Sequence, residues 1–251
     1  MRDLIIKDTT IINKTSYTGI DGRKYAELEI AFDDFNFKPG QFMMIKTTNM
    51  GVNWSYPYMI INKSEKGFRV IAKEDTSIFN YGLESKVTVF GPGGKGVEIE
   101  DEGYIVVAEG ATYPLVSSFV KNSDGKCEKV IFVGKENEVQ FPVSDEEHGE
   151  VYFEDINKAS EFINNAASKK IIIALNLDTL LPLMEKVQED KKDNILVFVS
   201  TKMGCGVGAC RGCYIHSPEV KTGISVCCEG PFMPYKIIDF EVDKKCFQTF
   251  K

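Results

Sequence analysis

"MGCGVGACRGCYIHSPEV", residues 203–220, holds three of the chain's seven cysteines within nine residues, and "VCCEGP" (226–231) adds Cys227 and Cys228. The spacing is Cys205-x4-Cys210-x2-Cys213, followed by thirteen residues before Cys227. A C-x4-C-x2-C run with a distant fourth cysteine is a ligand pattern for a [2Fe–2S] cluster. The pattern has a geometric reason. Two irons take two thiolates each, so the loop must wrap the cluster and point its sulfurs inward. Interleaved glycines allow that wrapping and leave backbone N–H groups to face the sulfurs. Zinc is the competing ligand, but zinc sites favour paired C-x2–4-C hooks and only half of this loop reads so. The fourth ligand is Cys227 or Cys228. Neighbours on an extended chain point to different sides, so one iron takes one of them. Cys127 and Cys246 stand alone and read as packing residues.

Upstream of this loop the chain has two rhythms. "RKYAELEIAF" (23–32), "QFMMIKTT" (41–48), "YPYMIINK" (56–63), "GFRVIAKE" (67–74) and "KVTVFGP" (86–92) are short, rich in β-branched and aromatic residues, and separated by turn signals. They predict a small β-barrel over residues 1–100. From about residue 100, near-continuous apolar strands alternate with helical stretches. The strands are "YIVVAEG" (104–110), "KVIFVGK" (129–135), "EVYFED" (150–155), "KKIIIALN" (169–176) and "NILVFVS" (194–200). The helices are "PLVSSFVKN" (114–122) and "TLLPLMEKVQED" (179–190). Such alternation predicts a parallel sheet in an α/β domain over 101–200. Residues 201–251 form the cysteine domain. The acidic stretch "SDEEHGE" (144–150) reads as a solvated connection, and "GPGGKG" (91–96) as a turn between the first two units.

Composition narrows the class. The 251 residues are 43% hydrophobic with a formal charge of −7, which fits a globular chain and not a disordered one. Lys and Arg are scattered, so nothing suggests a nucleic-acid partner. The apolar stretch near the N-terminus is too short for a signal peptide, and no apolar run approaches the roughly 20 residues of a membrane span. The expected location is cytoplasmic, where clustered cysteines hold metals or do redox chemistry.

These residues resemble the electron-transfer subunit of type B dihydroorotate dehydrogenase, in the ferredoxin-NADP reductase-like superfamily. "CGVGACRGC" and "VCCEGP" match its cysteine motif, "KPGQF" (38–42) its Pro-Gly-Gln-Phe turn, and "VFGPGGKGV" (89–97) its glycine-rich connection. The resemblance implies a flavin-binding barrel, a nucleotide-binding-like α/β domain and a small C-terminal [2Fe–2S] domain. It implies metal ligands at Cys205, Cys210, Cys213 and Cys227, the last from the alignment on the following Gly-Pro, while counting forward from Cys213 favours Cys228. It implies FAD in the barrel, at Tyr56, Pro57 and Tyr58 of the flavin strand and at Thr76 and Ser77 of the pyrophosphate turn. It implies a partner, a catalytic dehydrogenase subunit or another redox protein, in a hetero-oligomer that does substrate chemistry.

Several family positions differ here. Ser55 and Tyr56 replace an arginine, Met59 replaces a serine, and Glu74 and Asp75 bring negative charge to the pyrophosphate turn. The glycine-rich nicotinamide loop reads "AEGATYP" (108–114), keeping only Gly110, and the Cys-Gly-Pro segment reads "ALNLD" (174–178). Direct exchange with soluble NAD is therefore not expected. The alternative function is a metal-stabilised scaffold without flavin or NAD.

Overall fold

The structure is a computed structural model and describes residues 5–18, 23–33, 36–47, 55–99, 103–134, 150–167 and 170–249. The acidic stretch at 144–149 lies outside the described residues. Seven antiparallel strands make the first sheet: β1 (Ile5–Thr18), β2 (Lys24–Ala31), β3 (Phe42–Thr47), β4 (Tyr56–Met59), β5 (Asn62–Ser64), β6 (Gly67–Lys73) and β7 (Lys86–Gly93). Their order is β4-β3-β7-β1-β2-β6-β5. The two edge strands, β4 and β5, are neighbours in the chain, separated only by Ile60 and Ile61. The sheet must therefore curl until its edges meet. The Ile60 N–H donates to Gln41 O (3.1 Å) on one side, and the Ile61 N–H to Arg69 O (2.9 Å) on the other. The result is a curled half-barrel where the strand spacing predicts a barrel. Period-2 alternation sends Ala26, Leu28, Ile30, Phe68, Val70, Val87 and Val89 into its core.

The second sheet has the order β10-β9-β8-β11-β12-β15. β8 (Tyr104–Ala108), β9 (Cys127–Val133), β10 (Glu150–Glu154), β11 (Lys170–Ala174) and β12 (Ile195–Phe198) run parallel. Helices α1 (Tyr113–Lys121), α2 (Ile156–Asn165) and α3 (Leu177–Lys186) connect them. All five residues of β8 are buried, which is why the strand reads as a continuous apolar run. The chain moves outward from β8 to β10, then returns to the other side of β8 for β11. That reversal makes a topological switch point at the carboxyl ends of β8 and β11.

The remainder folds onto both sheets. It contains β13 (Tyr214–Ile215), β14 (Ile224–Ser225), α4 (Val226–Glu229), β15 (Phe232–Pro234) and α5 (Phe240–Asp243). β15 pairs antiparallel with β12 and so extends the α/β sheet. The 91–96 stretch, expected as a turn, is strand through Gly93, and the residues just past β7 bind this segment: the Gly94 N–H donates to Cys227 O (3.0 Å) and the Lys95 N–H to Gly230 O (2.9 Å). Cys213, Cys227 and Ile215 share one buried cluster with Phe42 and Met44 of β3 and Ile173 of β11. Among the described residues no helix is long and apolar enough to cross a membrane.

Candidate metal centre and adjoining cleft

The loop after β12 holds Cys205 and Cys210 near the surface, whereas Cys213 and Cys227 are about 1% exposed. Close approach sets the loop's shape. Gly206 has φ +70° and an added Cβ would lie 2.6 Å from Met44 Cγ, so only glycine lets the loop lie on β3. Backbone N–H groups converge on the sulfurs. Val207 (3.5 Å) and Cys210 (3.4 Å) donate to Cys205 Sγ, and Gly212 to Cys210 Sγ (3.4 Å). Cys227 donates to Cys213 Sγ (3.3 Å) and Gly208 to Cys227 Sγ (3.1 Å).

The thiols interact as two pairs, Cys205 with Cys210 and Cys213 with Cys227. Burial alone raises the Cys205 thiol, but the N–H groups of Cys210 and Val207 outweigh it and bring it down to about 7. The Cys227 thiol brings Cys213 down to about 6 against the opposing effect of burial. Cys227 is pushed up by that same contact and by burial. Two pairs of cysteine sulfurs, each receiving N–H donors, are what two irons and their anionic sulfurs need. Among the described residues no three His, Cys, Asp or Glu side chains converge as the ligand set of one ion. The C-x4-C-x2-C spacing and the N–H groups that converge on the sulfurs fit a two-iron cluster.

Cys227 and Cys228 do not lie on an extended chain. They occupy one helical turn, α4, and their sulfurs are 3.9 Å apart. Cys227 Sγ faces Cys213 and Gly208, while Cys228 Sγ lies where a Gly208 Cβ would be, 2.8 Å from it.

A cleft of about 2020 Å³ runs along this loop. Tyr56, Pro57, Tyr58, Thr76 and Ser77 line it, and so do Cys205 and Cys210; Cys213 and Cys227 do not. The structure thus brings the barrel positions expected for flavin and two of the cysteines to one cavity. The Tyr58 hydroxyl is buried beside those of Thr76 and Ser77 without a hydrogen bond of regular geometry, and burial pushes its pKa up to about 12. Thr201 Oγ1, on the same cleft, is buried with no hydrogen-bond partner among the described residues. Arg23, Lys24 and Lys73 also line it beside Glu74 and Asp75. Lys73 adjoins the carboxylates in sequence, whereas Arg23 and Lys24 are brought to the 73–77 turn only by the β2–β6 pairing: Tyr25 lies opposite Lys73, and the Glu74 N–H donates to Lys24 O. Their charge offsets the two carboxylates, and the cleft fits an anionic, polar and aromatic ligand such as a flavin dinucleotide.

At the switch point the arrangement differs. The loop after β8 carries Glu109, whose carboxylate accepts from Asn176 N (3.2 Å), Asn176 Nδ2 (2.5 Å) and Thr179 Oγ1. Asn176 caps α3. The crevice expected to take a dinucleotide is held by the chain's own side chain.

Residues 200–239 match the family model described as the iron-sulfur cluster binding domain of dihydroorotate dehydrogenase B. The electron transfer subunit of dihydroorotate dehydrogenase B (NAD(+)) from Fusobacterium nucleatum subsp. nucleatum is 21% identical over 232 residues, covering 82% of this chain and 87% of that protein. The subunit of the same description from Geobacillus sp. is 33% identical over 67 residues, about a quarter of each chain (26% and 25%). Among solved structures, a chain of NADH-dependent reduced ferredoxin-NADP oxidoreductase has a TM-score of 0.72 at 17% identity, with 95% of this chain and 92% of that one covered. Ferredoxin-NADP+ reductase from Plasmodium falciparum has a TM-score of 0.58 at 14% identity, covering 76% of this chain and 94% of that one. The chain has a ferredoxin reductase-like fold with a C-terminal iron–sulfur segment, and it resembles the electron-transfer subunit of type B dihydroorotate dehydrogenase over most of its length.

Proposed function

We propose that the chain is an electron-transfer subunit that relays electrons through a [2Fe–2S] cluster and FAD to or from a partner oxidoreductase. The observation that carries this reading is the shared cleft: Cys205 and Cys210 line the same cavity as Tyr56, Pro57, Tyr58, Thr76 and Ser77. A cluster held there and a flavin held in the barrel would be neighbours. When bound, the two groups supply one-electron steps on one side and two-electron storage on the other. The chain's own part is positioning and electrostatics. Cys205, Cys210, Cys213 and Cys227 would hold the cluster. The N–H groups of Val207, Gly208, Cys210, Gly212 and Cys227 stabilise negative charge on the sulfurs. Tyr56 and Tyr58 offer aromatic faces for the flavin ring, and Thr76 and Ser77 offer hydroxyls for its phosphates.

In this reading residues 1–100, 101–200 and 201–251 act as flavin, nucleotide-type and cluster units. The protein works in the cytoplasm in a hetero-oligomer whose catalytic dehydrogenase subunit, or another redox protein, carries the substrate chemistry. Anaerobically purified protein should contain about two irons and two sulfides per chain, with flavin released by heat. One zinc and no sulfide would overturn the cluster. The scaffold reading has Met59 in its favour, since a thioether replaces the hydroxyl that would bond the ring. Protein that keeps its cluster yet stays flavin-free in excess FAD would select that reading.

A further inference from the structure

We propose that Glu109 is a resident anion that fills the phosphate subsite of the α/β sheet and thereby makes that sheet discriminate against nicotinamide dinucleotides. Open parallel sheets bind ligands beyond the carboxyl ends of their strands, where the strand order reverses. Here that place is set by Ala108 and Ala174, which pair in register at the ends of β8 and β11. The donors that face it belong to the start of α3, where backbone N–H groups and the positive end of the helix dipole favour an anion. Glu109 takes one backbone N–H there and two side-chain donors. Its Oε2 accepts from Asn176 N (3.2 Å) and Asn176 Nδ2 (2.5 Å), and its Oε1 from Thr179 Oγ1.

The loop is tied down as well. The Glu109 N–H, which would otherwise face the crevice, donates to Thr112 Oγ1 (3.0 Å), and Thr112 Oγ1 donates to Ala174 O across the two strand ends. An incoming phosphate would therefore have to displace a carboxylate that is covalently tethered, so its local concentration is high. If the carboxylate stayed, two anions would share a partly buried site of lowered dielectric. If it left, the phosphate could recover only the same donors. The ligand class excluded is the nucleoside diphosphate, the part common to NAD(H), NADP(H) and ADP.

This inference concerns the α/β sheet alone and does not rest on cluster or flavin. It is tested by calorimetric titration of the full chain, in excess FAD so that the barrel cleft is filled, with ADP and with inorganic pyrophosphate. Wild type should bind neither measurably. Glu109→Ala, which frees Asn176 N, Asn176 Nδ2 and Thr179 Oγ1, should bind both at least about tenfold more tightly than wild type. Asn176→Ala on that background should remove the gain. Glu109→Gln keeps the packing and removes the charge, and it should show a smaller gain in the same direction. It decides the matter if the alanine variant does not fold. If Glu109 were only a structural tie, its variants would melt earlier and gain no ligand. Wild type that binds ADP as tightly as the variants, or folded variants that gain nothing, would overturn the proposal. Iron, sulfide and flavin assays on the same samples report separately on the cofactor reading.

Discussion

Cys227 and Cys228 show how one position changes chemistry. Both sit in the α4 turn, but only Cys227 receives the Gly208 N–H and pairs with Cys213. Cys227→Ser is expected to abolish or strongly alter the cluster's visible spectrum, and Cys228→Ser to leave it nearly unchanged. The reverse pattern would move the fourth ligand to Cys228. Gly208 is tied to the same geometry, because its φ of +78° and the Cys228 Sγ 2.8 Å from an added Cβ leave no room for a side chain. In metal-free protein the thiols should differ in reactivity. Cys205 is brought down to about 7, so its thiolate fraction rises through neutral pH. Cys127 is pushed up to about 12 by burial and the Glu128 charge, so it stays a thiol. Alkylation followed by mass spectrometry should label Cys205 with a midpoint near pH 7 and leave Cys127 unlabelled in folded protein. The spacing of Cys205, Cys210 and Cys213 was legible in the sequence because ligand spacing is local. The pairing of Cys213 with Cys227 was not, because it depends on β13 and β14 bringing the two together.

Elements with strong local periodicity were the most legible. β2, β3, β6, β8, β10, β11 and β12 lie within the stretches their alternation or apolar runs predict, and β7 overruns its stretch by Gly93. β1 is not legible although it runs over fourteen residues, because its apolar residues come in pairs, Ile5-Ile6 and Ile11-Ile12, and its burial has no period of two. β15 was missed because Phe232–Pro234 has no period of its own; its partner β12 makes it a strand. Helix α2 also went unread, yet it has a local start signal. Asp155 accepts from Asn157 N (2.8 Å) and Lys158 N (2.9 Å), and these N–H groups hold its carboxyl below the usual carboxylate range. A depressed pKa contributes stability that is present above the unfolded carboxylate value and lost as pH falls through the folded one. Asp155→Ala should therefore lower the melting temperature at neutral pH, and the difference from wild type should shrink in acid; Asp155→Asn should behave nearly as wild type. A difference that persists unchanged in acid would rule out the cap as its cause. Gly40 of the "KPGQF" turn makes a second case. Its φ is +81°, and an added Cβ would lie 2.9 Å from both Phe119 Cζ in α1 and Phe232 Cδ2 in β15. Phe119 is fully buried there, against Tyr104 and Phe232. Phe119→Ala should cost about 3–5 kcal/mol in denaturant unfolding, and Gly40→Ala should also destabilise, through strain and not through a cavity.

At the scale of the whole molecule, the three units read from composition are joined through one interior. Phe42 and Met44 of the barrel, Ile173 and Val197 of the α/β sheet, and Cys213, Ile215 and Cys227 of the cysteine segment belong to a single buried cluster. The 91–96 stretch bonds the backbone of Cys227 and Gly230, the Val199 N–H donates to Pro231 O (2.8 Å), and the Gln248 N–H closes on Ser200 O (2.8 Å). Cys213 and Cys227 thus stand inside the shared core, and Cys205 and Cys210 lie on the loop that leads into it. This has a consequence for metal removal. A cluster bound only by the folded chain stabilises that chain by mass action, because the unfolded chain lacks the assembled ligand set. If the core is continuous, the stabilisation is felt everywhere at once. Stripping iron with a chelator under reducing conditions should lower the melting temperature of the entire chain in one calorimetric transition, and reconstitution with iron and sulfide should restore it. Circular dichroism from the β-barrel and α/β sheets should shift together with it. Separate melting of a small cysteine unit, with the larger transition unmoved, would show that the buried contacts of Cys213 and Cys227 do not couple the cluster to the rest of the fold.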